Sequence, residues 1–169
     1  MILKRGCLGL LLLLTSPWAL AEAVSAGSAT EKLFAATLMD LQGQPQAVAP
    51  WKGKPLVVNF WARWCAPCRT EIPELARLQK RYKSRGLVVI GIGIEDQVEA
   101  VREFSKAYEM DYTVLLAKDK GLDLMQALGN TRMALPFTVA IDRQGKMVVS
   151  RVGAIKGDDL SAAAEAALK

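Results

Sequence analysis

Two cysteines separated by two residues, lying between a buried strand and an amphipathic helix, constrain this chain more than any other feature. The apolar, β-branched run at residues 56–60 predicts a strand buried on both faces, as in a parallel sheet. Cys65 and Cys68 follow it, and apolar residues then recur every three or four positions over residues 69–85. A strand that leads through a turn directly into a helix is typical of α/β proteins.

Strands and helices continue to alternate along the rest of the chain, which predicts one α/β domain. We expect strands at residues 34–40 (at an edge), 87–94, 112–116, 137–141 and 146–152. We expect helices at residues 98–108 and 122–128, and a final alanine-rich helix that Asp158 caps. Residues 43–55 indicate turns, and residues 142–145 indicate a hairpin in which Gly145 adopts a positive φ.

The N-terminus has the pattern of a secretory signal peptide. Lys4 and Arg5 precede a leucine-rich run at residues 8–14, and an Ala-Leu-Ala cleavage pattern ends at Ala21. The apolar run is shorter than the ~20 residues that a membrane span needs. If the signal peptide is cleaved, we expect a periplasmic protein. The alternative is that the N-terminal segment stays uncleaved and anchors the protein to the membrane. The expected organisation is a signal peptide at 1–21, a flexible lead-in at 22–32 and one domain at 33–169.

Signal removal takes Cys7 away and leaves one cysteine pair in a chain without histidine. A bridge that closes so short a loop constrains the unfolded chain very little, so chemistry explains the pair better than stability does. A zinc site lacks two of its usual four ligands, and hydrolases that use Ser-His or Cys-His are excluded. Neither a metal nor another cofactor is predicted. The small positive charge, with no basic and aromatic stripe, does not favour nucleic-acid binding.

The two sulfurs are expected to have different roles in a redox-active disulfide. A cysteine at a helix N-terminus faces unpaired N–H groups and the positive end of the helix dipole, which stabilise a thiolate. We therefore predict that Cys65 is the more exposed, attacking nucleophile. Cys68, one turn deeper, is predicted to resolve the mixed disulfide.

Aromatic and basic residues flank the pair. Trp64 is predicted to belong to the substrate-binding surface, and Trp61 belongs either to that surface or to the core. Arg63 and Arg69 either favour the thiolate or are simply solvated charges.

The segment at residues 58–68 (VNFWARWCAPC), with Pro73 after it and Leu135-Pro136-Phe137 further on, resembles the thioredoxin superfamily. Within it, the chain is most similar to the exported thiol-disulfide reductases of the TlpA/ResA type, over residues 33–168. The resemblance implies a thioredoxin-like α/β fold, in which helices flank a central mixed β-sheet.

The resemblance also implies the neighbours of the dithiol. The bond from Leu135 to Pro136 would be cis, and Leu135 would offer its backbone to an extended substrate, so both are substrate-binding candidates. Pro73 would kink the active-site helix. Asn59 stands where ordinary thioredoxin has a buried Asp that assists proton transfer.

TlpA/ResA-like proteins share that change and often carry a carboxylate at the end of the next strand. Glu95 is therefore the candidate proton shuttle for Cys68, with Asp96 as the alternative. Both acids could instead be exposed residues at the entry to the next helix.

The resemblance implies an enzyme that reduces disulfides in periplasmic client proteins, for example in cytochrome c maturation. A membrane thiol-reducing protein would supply its electrons, and the enzyme would be a monomer. The motif fixes the reaction but not its direction, so an oxidase of the same fold remains an alternative. A non-catalytic module that holds Cu(I) between the two thiolates is a second alternative.

Overall fold

One seven-stranded sheet organises residues 29–169, the part of the chain that this computed structural model describes. The strands are β1 (Thr37–Met39), β2 (Pro45–Ala47), β3 (Leu56–Trp61), β4 (Val88–Gly93), β5 (Thr113–Leu116), β6 (Phe137–Ile141) and β7 (Met147–Val152). The helices are α1 (described over residues 29–34), α2 (Ala66–Tyr82), α3 (Val98–Ala107), α4 (Asp119–Ala127) and α5 (Gly157–Leu168). Two short 3-10 segments lie at Ala49–Trp51 and Lys83–Arg85.

The strand order is β2-β1-β5-β4-β3-β6-β7. Strand β4 runs parallel to both β3 and β5, whereas the other neighbouring pairs are antiparallel. The carboxyl ends of the three parallel strands therefore share one edge of the sheet, and the loop that carries the cysteines leaves β3 at that edge. The predicted fold class, a mixed sheet flanked by helices, is confirmed.

Strand β3 is the centre of the core because all six of its side chains are buried. Alternation along the strand sends Val58 and Phe60 to the face covered by α1 and α4. It sends Val57 and Trp61 to the face covered by α2, α3 and α5. The prediction that this strand is buried on both faces is confirmed.

The first third of the domain differs from the prediction. Strand β1 begins only at Thr37 and lies between β2 and β5, so it is not an edge strand. Strand β2 occupies residues that were expected to form turns. It was missed because its three residues include a proline and none is buried, which leaves no hydrophobic alternation to detect.

Two helix starts also differ. Helix α4 begins at Asp119, three residues before the predicted start. Helix α5 begins at Gly157, so Asp158 lies in its first turn and does not cap it. A carboxylate in that turn still faces the positive end of the helix dipole, which explains why the sequence favoured Asp158 there. The hairpin is as predicted, with Gly145 at a φ of 80°.

The fold includes residues that precede the expected domain boundary. Residues 29–34 are helical, and Thr30 is buried and donates its hydroxyl to the carbonyl of Gly145 at 2.7 Å. Residues 29–32 therefore belong to the fold and not to a flexible lead-in. The predicted signal peptide and the rest of the lead-in lie outside the described residues. Between residues 29 and 169, no helix has the length and apolar character needed to cross a bilayer.

Candidate active site

Cys65 and Cys68 form a disulfide at the start of α2, with an S–S length of 2.04 Å and a Cα–Cα separation of 5.3 Å. Cys65 is the N-cap of the helix, and its sulfur accepts the backbone N–H of Cys68 at 3.3 Å. Pro67 fits in the first turn because its missing N–H would have no partner in the helix. The first sulfur therefore lies where helix N–H groups can stabilise a thiolate.

The two cysteines are both buried, and an exposed tryptophan precedes them. Cys65 is 5% exposed and Cys68 is 1% exposed, whereas the neighbouring Trp64 is 70% exposed. Cys65 is thus the slightly more exposed residue of the pair, and the adjacent Trp64 presents a large apolar side chain to solvent. The attacking and resolving roles, and the substrate-binding role of Trp64, remain predictions that agree with this arrangement.

Leu135 and Pro136 lie at the same sheet edge as the cysteines. The peptide bond between them is cis, as the resemblance implied. Strand β6 starts directly after them, and its first residue, Phe137, pairs with Phe60 near the end of β3. Leu135 is half-buried and packs on the cluster that contains both cysteines. Leu135 is partly exposed and Pro136 is buried, and their role in substrate binding remains a prediction.

Trp61 belongs to the core. Its side chain is fully buried, and its ring stacks on Phe104 with the centroids 5.3 Å apart. The ring lies over Gly91 and Gly93 of β4, which have no side chains to displace it. Of the two interpretations of Trp61, the substrate-surface one is wrong.

Sequence reasoning missed a buried carboxyl group, Glu71, one helical turn after Cys68. Its side chain is 1% exposed. One oxygen accepts the side-chain amide of Asn59 at 2.5 Å and the hydroxyl of Thr138 at 3.1 Å. The other accepts the backbone N–H of Ile155 at 2.9 Å. Asn59, which replaces the Asp of ordinary thioredoxin, therefore binds a carboxyl group from the neighbouring helix.

The environment of Glu71 makes it a proton-exchanging group near neutral pH. Burial raises its pKa to about 7, although the hydrogen bonds from Ile155 and Thr138 oppose that change. Glu71 shares with Cys68 the face of α2 that packs on the sheet. The sequence did contain a signal that Glu71 is buried, because it stands next to Ile72 at an inward position of the apolar stripe of α2.

Glu95 follows β4 and faces the active-site loop. Its side chain is 8% exposed, and its two oxygens accept the backbone N–H and the Nε–H of Arg63, each at 2.5 Å. Asp96 points elsewhere, is more than half exposed and pairs with Lys118 at 3.2 Å. Glu95 is therefore the acid of this pair that touches the loop. Its proton transfer to or from Cys68 remains a prediction, and the buried Glu71 is the competing candidate for that step.

Comparisons with known proteins agree with this geometry. The sequence model described as Redoxin matches residues 26–168. The "Thiol-disulfide oxidoreductase ResA" of Bacillus thuringiensis subsp. konkukian (strain 97-27) is 32% identical over 130 residues, 77% of this chain and 70% of that protein. The protein of the same name from Bacillus subtilis (strain 168) is 32% identical over 128 residues, 75% and 67% of the two chains.

Solved structures give the same result. A thiol:disulfide interchange protein of the thioredoxin family from Chlorobium tepidum TLS superimposes with a TM-score of 0.71 at 30% identity, covering 79% of this chain and 93% of that one. A secreted Mycobacterium tuberculosis disulfide oxidoreductase, described as homologous to Escherichia coli DsbE, gives a TM-score of 0.66 at 27% identity. That match covers 80% of this chain and 98% of the other.

Proposed function

Because this chain belongs to the Redoxin family of thioredoxin-like proteins and is a thiol-disulfide oxidoreductase, we propose that it works as an exported reductase of disulfides in other proteins. The burial of Glu71, one helical turn from Cys68, is the observation that favours reduction of client disulfides over their formation. A buried carboxylate disfavours a second negative charge nearby and so disfavours the thiolate form of the reduced pair. Destabilising that form favours the enzyme disulfide, which makes the dithiol a stronger reductant.

The reaction follows from the placement of the two sulfurs. The Cys65 thiolate attacks one sulfur of a client disulfide, forms a mixed disulfide and releases the other client sulfur as a thiolate. Cys68 then gives its proton to the Glu71 carboxylate and attacks the Cys65 sulfur, which releases the second client thiolate. Protons from solvent and Glu71 complete the two client thiols. The client gains two electrons, and the enzyme leaves as the Cys65–Cys68 disulfide.

The setting of this reaction follows from the sequence resemblance. We propose a periplasmic monomer that a membrane thiol-reducing protein returns to the dithiol state. Apocytochrome c is the proposed client, which would place the enzyme in cytochrome c maturation. N-terminal sequencing of the exported protein tests the location: cleavage after Ala21 supports a periplasmic enzyme, and an intact N-terminus supports the membrane-anchored alternative.

The reduction potential of the Cys65–Cys68 couple tests the direction of electron flow. Equilibration with mixtures of reduced and oxidised glutathione, followed by separation of the two enzyme forms, gives the equilibrium constant. A reductase lies well below the glutathione range of about −220 to −260 mV. A potential well above that range would instead establish the oxidase.

Substitution of the resolving cysteine tests the mechanism. In Cys68→Ser the mixed disulfide cannot be resolved, so covalent complexes between Cys65 and its clients should accumulate and disappear on reduction. Gel electrophoresis without reductant, followed by mass spectrometry, identifies them. Cys65→Ser, the matched control, should trap none, because Cys68 is buried. Equal trapping by both variants would show that the assigned roles are wrong.

A further inference from the structure

The loop before the reactive sulfur is held by one carboxylate. Arg63 lies two residues before Cys65, in a turn that the Cys65 N–H closes on the carbonyl of Ala62 at 3.1 Å. The Arg63 N–H points out of this turn and donates to Glu95 at 2.5 Å. The position of the loop therefore depends on a side chain from the neighbouring strand end.

The same carboxylate also pairs with the charge of Arg63. The second Glu95 oxygen accepts the guanidinium Nε–H at 2.5 Å, and an outer guanidinium nitrogen reaches the side-chain oxygen of Gln97 at 3.3 Å. Because the Glu95 side chain is 8% exposed and that of Arg63 is 32% exposed, water screens this pair less than a surface ion pair. Arg63 is thus neither a free cation nor a solvated charge.

An unopposed arginine at this place would alter the chemistry. A cation near a cysteine stabilises its thiolate, and stabilising the reduced form makes a dithiol more oxidising. Glu95 supplies an opposite charge in direct contact with the guanidinium, so the thiolate experiences little net field from the pair.

We propose that Glu95 is a positioning residue that acts through Arg63: it holds the loop before Cys65 and offsets the charge that Arg63 carries two residues before the reactive sulfur, which keeps the dithiol reducing. This inference rests on the proposed reductase function and deepens it. It gives Glu95 a role in tuning the redox equilibrium that is separate from proton transfer to or from Cys68.

Other charged groups near the dithiol stay the same when this pair is changed. Arg69 of α2 donates its backbone N–H to the Cys65 carbonyl at 3.3 Å, and its side chain extends from an exposed position. Glu71 lies beneath Cys68 and makes its hydrogen bonds to β3, β6 and Ile155. Differences among variants at residues 63 and 95 therefore report on the Arg63–Glu95 pair.

Glu95→Gln separates charge from loop geometry, since the amide oxygen can still accept the Arg63 N–H. The released guanidinium charge should raise the thiolate-to-thiol ratio of Cys65 about three- to tenfold at a given pH below its pKa. At a pH where Cys65 is mainly thiolate, the dithiol–disulfide equilibrium should shift by the same factor, which corresponds to about 15–30 mV toward the oxidising side. The pH dependence of alkylation of reduced Cys65 and equilibration with glutathione measure the two quantities.

Arg63→Gln should shift both quantities in the opposite direction, because it leaves the Glu95 carboxylate unopposed near the sulfur. The double variant should return to within about twofold of the natural protein, since it removes both charges. Glu99→Gln is the matched control: it also removes a carboxylate from an ion pair, with Arg102 at 2.9 Å, but on the exposed first turn of α3.

Shifts of opposite sign at the two residues, with no shift in Glu99→Gln, support the proposal. Shifts of the same sign, or a Glu95→Gln variant that matches Glu99→Gln, overturn it. Circular dichroism checks folding, and if Arg63→Gln does not fold, the comparison of Glu95→Gln with Glu99→Gln decides. The differences among variants are independent of the natural protein's own potential, so failure here is distinguishable from failure of the reductase proposal.

Discussion

Glu71 connects the chemistry of the dithiol to the stability of the protein. Its carboxyl group binds a proton more tightly in the folded chain, where its pKa is about 7, than in the unfolded chain, where 4.5 applies. Between those two values the folded state holds more protons than the unfolded state, so a rise in pH favours unfolding. Below that window both states are protonated at this residue, and above it both are ionised.

We predict that the unfolding free energy of the natural protein falls by roughly 3 kcal/mol relative to Glu71→Gln as the pH rises through this window. Urea unfolding at several pH values measures the difference. The comparison must use the pH dependence, because the amide also leaves one of the donors to Glu71 without an acceptor, at a cost of about 1–3 kcal/mol at every pH.

Glu74→Gln is a suitable control, since Glu74 lies on the same helix and bonds Arg77 near the surface. It should leave the pH dependence of the natural protein in place. If Glu71→Gln and the natural protein had parallel stability profiles, Glu71 would not titrate near neutrality in the folded chain.

The two cysteines could be predicted from the sequence pattern and the cis proline from the family resemblance, whereas the hydrogen-bonding environment of Glu71 could not. Cys65 and Cys68 stand next to each other on one helical turn, and their motif is local. The environment of Glu71 depends on Thr138 and Ile155, which lie 67 and 84 residues away. The apolar stripe of α2 indicates that Glu71 faces inward, but local patterns contain no information about its partners.

Among the elements, β4 shows how the core makes room for Trp61. A Cβ at Gly91 would lie 2.9 Å from the Tyr112 ring and 3.1 Å from the Trp61 ring nitrogen. At Gly93 the nearest atoms would be 3.6 Å away, an ordinary contact. The packing therefore excludes a side chain at Gly91 but leaves room for a methyl group at Gly93, although both residues belong to β4.

We predict that Gly91→Ala destabilises the protein by about 1–3 kcal/mol, because rigid aromatic rings must move to admit the methyl group. Gly93→Ala, the matched control, should be neutral or slightly stabilising, since alanine restricts the unfolded chain. Thermal or urea unfolding of the two variants provides the test. Equal effects at both positions would contradict this account of the packing.

The long elements were predictable and the short ones were not. Strand β3 and helix α2 have strong apolar patterns, and their bounds lie within a few residues of the prediction. Strand β2 is held by its pairing with β1, a tertiary contact that no pattern in its own three residues reveals. The position of β1 inside the sheet could not be foreseen without β2 beside it.

For the whole molecule, the disulfide is a reactive group and not a structural staple. It joins residues only three positions apart, so the chain entropy that it removes from the unfolded state is small. Chain entropy alone predicts that the oxidised protein exceeds the reduced protein in unfolding free energy by no more than about 2 kcal/mol, and a larger gap would reflect destabilisation of the reduced site by Glu71. Urea unfolding with and without reductant measures this difference.

Cys65→Ser/Cys68→Ser serves as the control for that comparison, because reductant cannot change its covalent structure. It should unfold at the same urea concentration in both conditions. Loss of folding by the natural protein on reduction would show that the bridge is needed for the fold as a whole.

Helix α1 is tied to the turn between β6 and β7 by the bond from Thr30 to Gly145. Because β6 runs antiparallel to β3, this turn lies at the end of the sheet opposite Cys65, with about 17 Å of strand between them. An affinity tag or a linker to a surface that is joined before residue 29 would therefore attach at the end of the sheet opposite the dithiol. Immobilisation through that end should leave the side that clients approach unobstructed.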